Sequence, residues 1–209
     1  MSTADPTPQV SPPPEGAAAP PPPRGRRLLK QRWLRTAGGL LVAGAIVGGL
    51  VAFDRLGADD AVGPLDDRRP EVGELAPQFA LRDPDGNVHR LDDFRGQVVW
   101  VNFWATWCGP CRRELPAMQS LANEFQDQGL VILAVDNKES AGTALDFWEE
   151  LELELPLLLD SDGAVAEQYR LFGFPGHFFL DRDGVVHSLE MGDLTEEEMR
   201  ERLAELGLS

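Results

Sequence analysis

Cys108 and Cys111 are the only cysteines among 209 residues, and they stand three apart in Trp107-Cys108-Gly109-Pro110-Cys111. A pair at this spacing suits thiol-disulfide exchange. One thiolate attacks a disulfide sulfur, a mixed disulfide forms, and the second thiol resolves it. Placement sharpens that reading. Val98 to Trp104 is nearly continuous apolar sequence, the pattern of a strand buried on both faces. Cys111, Leu115, Met118, Leu121/Ala122 and Phe125 then recur at helical steps. Cys108 therefore falls at a helix N-terminus, where unpaired N–H groups and the positive dipole end favour a thiolate. Pro110 suits the first turn, because the N–H it lacks would have no helical partner there. Cys111 lies one turn inward and can close a small disulfide with Cys108.

Other uses of two cysteines fit less well. Two thiols cannot build a disulfide-rich scaffold or a four-thiolate zinc site. A disulfide across so short a loop would constrain little of the unfolded chain. A metal site would need ligands from His89, His177 and His187, which lack ligand-like spacing, so no metal is expected. Haem attachment needs a histidine directly after the second cysteine, and that position is Arg112. A thiol peroxidase would be expected to carry Thr three residues before its nucleophile, and that position is Ala105.

Glu114 falls on the same apolar stripe as Cys111, Met118 and Leu121. Its carboxylate is expected to face inward, where burial would raise its pKa and let it exchange a proton with Cys111. The competing reading is an exposed carboxylate beside Arg113. Trp107, directly before the nucleophile, reads as active-site support or as packing under the loop. Trp100 and Trp104 read as core. Phe174-Pro175 opens a strand, and His177 reads either as a proton donor near the disulfide or as a strand histidine satisfied by a hydrogen bond.

The elements that would position these groups follow from period and turn residues. Phe79 to Leu81 and Val88 to Leu91 flank Asp83-Pro84-Asp85-Gly86-Asn87 and predict a hairpin. Leu130 to Val135 and Leu157 to Leu159 predict further strands. Ala144, Phe147, Trp148 and Leu151 mark an amphipathic helix, and a short helix is expected from Ala164 to Tyr169. His177 to Leu180 and Val185 to Met191 predict paired strands joined by Asp181-Arg182-Asp183-Gly184. Thr195 and Glu198 form a capping box for a last helix, with Leu194 and Met199 as its staple and Gly207 after its end. Strands alternating with helices, plus a terminal hairpin, imply an α/β sandwich with a mixed sheet.

The rest of the chain divides by composition. Residues 1–35 are a Pro-rich segment with no capacity for a core followed by a basic run, expected to be a disordered cytoplasmic tail. Thr36 to Phe53 carries no charge and no proline, and its 18 residues would rise about 27 Å as a helix, against a hydrocarbon core of about 30 Å. We read 36–53 as a transmembrane anchor rather than a cleaved signal peptide, since its Ala43-Gly44-Ala45 lies mid-stretch. The basic flank then stays in the cytoplasm and the remainder faces outside. Residues 54–72 read as a linker and 73–209 as one domain. Nineteen basic against 35 acidic residues give −16. The first 53 residues hold six basic groups against Asp5 and Glu15, +4, so residues 54–209 carry −20. So acidic a domain argues against a nucleic-acid partner.

The run Phe103-Trp104-Ala105-Thr106-Trp107-Cys108-Gly109-Pro110-Cys111-Arg112-Arg113-Glu114-Leu115-Pro116 resembles the membrane-anchored thiol-disulfide oxidoreductases of the TlpA/ResA group, in the thioredoxin superfamily. Ala76-Pro77-x-Phe79, Gly96-Gln97-Val98-Val99 and Gly173-Phe174-Pro175 extend the resemblance over about residues 73–207. It implies a thioredoxin fold with an N-terminal β-hairpin, a central helix-containing insertion and a cis-proline at Pro175 facing the cysteine pair. It also implies a redox-active Cys108-Cys111 disulfide and an acidic residue at position 114. Such proteins commonly reduce apocytochrome c before haem attachment, and draw electrons from a membrane thiol carrier of the CcdA/DsbD type. No cofactor is implied. The Gly-Pro between the cysteines matches reducing thioredoxins. Other envelope proteins are an alternative substrate class, and a peroxidase or copper-binding module is a more distant one. The chain departs from the group at Gly176-His177, where two threonines are usual. Because the segment beside the cis-proline is expected to hold the partner peptide, Phe174 and His177 are candidate substrate contacts.

Overall fold

The computed structural model describes residues 62–209. The uncharged stretch 36–53 lies outside the described residues, and among those described no helix is long and apolar enough to cross a membrane. The elements run β1 (Gly63–Pro64), β2 (Phe79–Arg82), β3 (Val88–Arg90), β4 (Val98–Trp104), α1 (Gly109–Phe125), β5 (Leu130–Asn137), α2 (Ala141–Glu150), β6 (Leu157–Asp160), α3 (Ala164–Gln168), β7 (Gly176–Leu180), β8 (Val186–Met191) and α4 (Glu196–Glu205). The strands form one mixed sheet in the order β1-β2-β6-β5-β4-β7-β8, with β3 paired to β2. β4, β5 and β6 run parallel, whereas β7 is antiparallel to β4 and β8 to β7. This is the thioredoxin-like arrangement. Its N-terminal hairpin is β2–β3, and α2–β6 form the helix-containing insertion between β5 and α3.

All seven residues of β4 are buried, as a strand at the centre of a sheet covered on both faces must be. Alternate side chains feed two cores. Val98, Trp100 and Trp104 pack with Leu115, Met118 and Leu121 of α1 and with Met199 and Leu203 of α4. Val99, Val101 and Phe103 pack on the other face with Phe79, Val165, Tyr169 and Phe178. Asn102 has the parity of Trp100 and Trp104, so a polar side chain is set beneath α1. That single placement prepares the site.

The linker reading of 54–72 needs correction in its described part. Gly63–Pro64 pairs with Pro64↔Phe79 and Gly63↔Ala80 on β2. Asp66 then accepts from the Gln78 backbone N–H at 3.1 Å and from Gln168 Nε2 at 3.2 Å. A short edge strand and one half-buried carboxylate tie this segment to the domain. No periodic apolar pattern announces such ties, because so few residues make them.

Candidate active site

Cys108 is the N-cap of α1, with extended backbone, and Gly109 and Pro110 open the helix behind it. Cys108 and Cys111 are joined as a disulfide with their Cα atoms 5.3 Å apart. The Cys111 backbone N–H donates to Cys108 Sγ at 3.2 Å, so an otherwise orphaned N–H of the first turn is spent on the outer sulfur. Cys108 keeps 4% of its exposure and Cys111 none, so an incoming sulfur can meet only Cys108. Trp107 is 67% exposed and stands edge-on to Phe174, with ring centroids 5.7 Å apart. It is a surface residue at the mouth of the site, not packing beneath the loop.

The Phe174–Pro175 bond is cis. Phe103 of β4 pairs with Gly176 of β7, so Phe174 and Pro175 lie beyond that rung, at the end of the sheet where β4 runs out toward the cysteine loop. Phe174 is partly buried, and with exposed Trp107 it gives the mouth an apolar surface.

Glu114 is buried, as the helical phase predicts. Arg113 turns outward to Asp193 at 3.1 Å and is no partner for it. The Glu114 carboxylate instead accepts from Asn102 Nδ2 and from the Leu194 backbone N–H, both at 3.4 Å, and His177 Nε2 stands 3.6 Å from Oε2. Burial pushes its pKa up to about 8, and two long hydrogen bonds oppose this only partly. The group is thus neutral or charged according to small changes around it near neutral pH.

His177 calls for correction as a substrate contact. Its side chain is wholly buried, because β7 turns position 177 to the face covered by α1. Trp100 Nε1 donates to His177 Nδ1 at 3.2 Å, and His177 Nε2 lies 3.1 Å from the Gly192 carbonyl. Burial lowers its pKa to about 4, so the ring is neutral.

A second polar cluster was not singled out from the sequence. Glu139 accepts from both the Thr106 backbone N–H and Thr106 Oγ1, each at 2.6 Å, and so latches the loop two residues before Cys108. Behind it, Asp136 is fully buried and neither of its oxygens meets a donor. Burial, and then the carboxylate of Glu139 beside it, push Asp136 up to about 8. A buried carboxyl with another carboxylate beside it favours its protonated form. The usable signal was an Asp ending an apolar strand three residues before a Glu. Asn102, inside the most apolar strand, was the corresponding signal for the first cluster. Among the described residues no group of three or more His, Cys, Asp or Glu could hold a metal ion.

Residues 72–189 match the AhpC/TSA family. A thiol-disulfide oxidoreductase ResA of Geobacillus thermodenitrificans is 39% identical over 132 residues, which span 63% of this chain and 76% of that protein. The chain belongs to the AhpC/TSA family as a thiol-disulfide oxidoreductase of the ResA type. A solved structure described as a DsbE thiol:disulfide interchange protein of Chlorobium tepidum superposes with a TM-score of 0.63. It is 31% identical and aligns with 66% of this chain and 98% of its own. The exposed lipoprotein thioredoxin Etrx1 of Streptococcus pneumoniae, also 31% identical, gives a TM-score of 0.54 over 62% of this chain and 99% of that one. In this ResA-type oxidoreductase the exchange chemistry rests on Cys108 and Cys111, the only thiols present.

Proposed function

We propose that this enzyme reduces protein disulfides on the outer side of the cytoplasmic membrane, anchored by Thr36 to Phe53, with apocytochrome c as a substrate. The observation that carries the chemistry is the disulfide at the start of α1, with only Cys108 open to a partner. In the reduced enzyme the Cys108 thiolate attacks a substrate disulfide, forming a mixed disulfide and releasing one substrate thiolate. Cys111 gives its proton to Glu114 and attacks Cys108 Sγ. The second substrate thiolate leaves, and Cys108–Cys111 closes. Two electrons have passed to the substrate, and a membrane thiol carrier of the CcdA/DsbD type restores the dithiol by the same exchange in reverse. Gly109 and Pro110 keep the two sulfurs at one helix end, while Pro175 and Phe174 border the place where the partner segment lies. The outward orientation is supported by the basic flank before the uncharged stretch, and by the likeness to an exposed lipoprotein thioredoxin.

Cys111→Ser expressed in the full chain tests this reading, since it should arrest the mixed disulfide on Cys108. Mass analysis of the adduct is expected to return an envelope protein with a Cys-x-x-Cys pair. Adducts confined to cytoplasmic proteins would overturn the orientation. Adducts with other envelope proteins alone would move the substrate away from apocytochrome c.

A further inference from the structure

Pro175 has no N–H, so its carbonyl is its one backbone hydrogen-bonding group, and the Gly192 N–H donates to it at 2.9 Å. Whatever holds Gly192 therefore bears on Pro175. Gly192 is the residue after β8, and its φ of +100°, which only glycine adopts readily, turns the chain out of the strand. Its carbonyl meets His177 Nε2 at 3.1 Å, on a ring wholly buried under α1. The sense of that bond is fixed from the opposite side of the ring. An indole N–H can only donate, so Trp100 Nε1 at 3.2 Å requires a lone pair on Nδ1, and the ring proton sits on Nε2. Glu114 Oε2 stands 3.6 Å from Nε2 and shares no hydrogen bond with it, so the single N–H goes to Gly192.

We propose that His177 is a positioning residue for partner binding: braced by Trp100 and bonded to the Gly192 carbonyl, it holds Gly192, whose N–H fixes the Pro175 carbonyl beside the partner segment. The inference rests on the placement of that segment against Phe174 and Pro175. The residues after Gly192 are tied less firmly. Asp193 pairs with Arg113 at 3.1 Å, but both side chains are more than half exposed, and such pairs contribute little. The Leu194 N–H reaches Glu114 only at 3.4 Å. The His177 bond is shorter and lies in the interior, where an unpaired polar group is costly. Burial also lowers the ring's pKa to about 4, so above that pH the anchor keeps one protonation state. The ResA-like pattern has a threonine at this position, and a hydroxyl is a single atom that cannot join Trp100 to Gly192 across the width of a ring. His177 thus gives this chain its own support for the segment that meets the partner.

Two measurements on the complete protein test the proposal. The first uses the wild type. ¹⁵N shifts of His177 should report a neutral ring with its proton on Nε2 throughout pH 6–9. An Nδ1–H tautomer would overturn the proposal without any variant having to fold. The second compares mixed-disulfide formation at Cys108 with two probes, an oxidised Cys-x-x-Cys peptide and hydroxyethyl disulfide, which has no chain to lie along Pro175. Loss of one buried hydrogen bond corresponds to about fivefold. His177→Met fills the space without hydrogen bonds and should lower the ratio of the peptide rate to the small-disulfide rate by about that factor. His177→Gln carries both an acceptor for Trp100 and a donor for Gly192, and should restore most of the ratio. Equal losses in the two variants would show that ring packing matters and the hydrogen bond does not, which overturns the proposal. Phe174→Ala separates the inference from the reading beneath it. If Phe174→Ala leaves the ratio at its wild-type value, the partner segment does not lie there, and the inference falls with that placement. If Phe174→Ala lowers the ratio and His177→Met leaves it in place, only the role of His177 fails.

Discussion

Two buried acids flank the disulfide on the α1 face of the sheet, and both are pushed up to about 8, for different reasons. Glu114 meets two donors, the Asn102 amide and the Leu194 backbone N–H. Each favours the anion, while burial favours the acid, so the balance is close and the proton can move. Asp136 is placed differently. Its oxygens have no hydrogen-bond partner, and its neighbour is another carboxylate, Glu139, already committed to Thr106, so burial and like charge both favour the acid. The same apparent pKa therefore marks a group suited to exchange protons in one case and a latch that keeps its proton in the other. What surrounds a titrating group, more than how far it is shifted, decides which use it has.

The largest effect should come from stability against pH, to which both acids contribute with the same sign, and a variant of Asp136 isolates its share. Asp136 is raised from an ordinary 3.8 to about 8, so between those values the folded protein holds a proton that the unfolded chain has released. Stability is then greatest below pH 4 on this group's account and falls as pH rises through about 8, at up to about 1.4 kcal/mol per pH unit. Asp136→Asn keeps the size of the side chain and removes its titration. Urea unfolding of the oxidised protein from pH 5 to 8 should show a flatter decline in this variant, with its resolution kinetics unchanged. Equal slopes in variant and wild type would place that proton elsewhere.

Next in size is Glu114→Gln. Removing a proton acceptor of this kind is worth about 10²-fold or more in a rate limited by proton transfer. Resolution of the mixed disulfide should slow by about that factor while its formation at Cys108 does not, and the inflection near pH 8 should vanish. Stopped-flow exchange with a fluorescent peptide disulfide separates the two steps. If formation and resolution slowed together, Glu114 would be holding the helix rather than moving a proton.

The smallest effect belongs to the latch. Glu139→Gln leaves one carbonyl oxygen for the two Thr106 donors and removes the charge that strengthens both bonds, costing about 1–2 kcal/mol. Alkylation of Cys108 in the reduced protein should change modestly, and the pH profile of resolution should stay where it was. A shift in that profile would join the two clusters into one proton network and dissolve the contrast between them.

Much of this was legible in residue order. The apolar run of β4, the helical stripe of α1 and the capping box of α4 each rest on local period or turn chemistry. The structure forms β4 over Val98–Trp104 and caps α4 with Thr195 and Glu198 reciprocally bonded. Glu114 could be placed inward because a helix has one phase, and Cys111 fixes it. The strap at Gly63–Pro64 was not legible, since two residues carry no period. Nor was the depth of His177: a strand's alternation says that it shares a face with Phe179, but not what covers that face.

The sequence by itself determined the chemistry and its local frame: two thiols at a helix start, a carboxylate one turn on, and a central strand aimed at them. Those are consequences of spacing along one chain, where backbone geometry leaves few choices. Only the tertiary structure decided how the buried polar groups divide. Asn102, His177 and Glu114 come from β4, β7 and α1, and Thr106, Asp136 and Glu139 from the loop after β4, from β5 and from the turn following it. Glu114 meets its donors because chain 12 residues before it and 80 after it is folded onto the same face, whereas Asp136 lies beside Glu139 from the turn after its own strand, and Thr106 reaches Glu139 across 33 residues. In a low-dielectric interior that one difference sets where the proton rests.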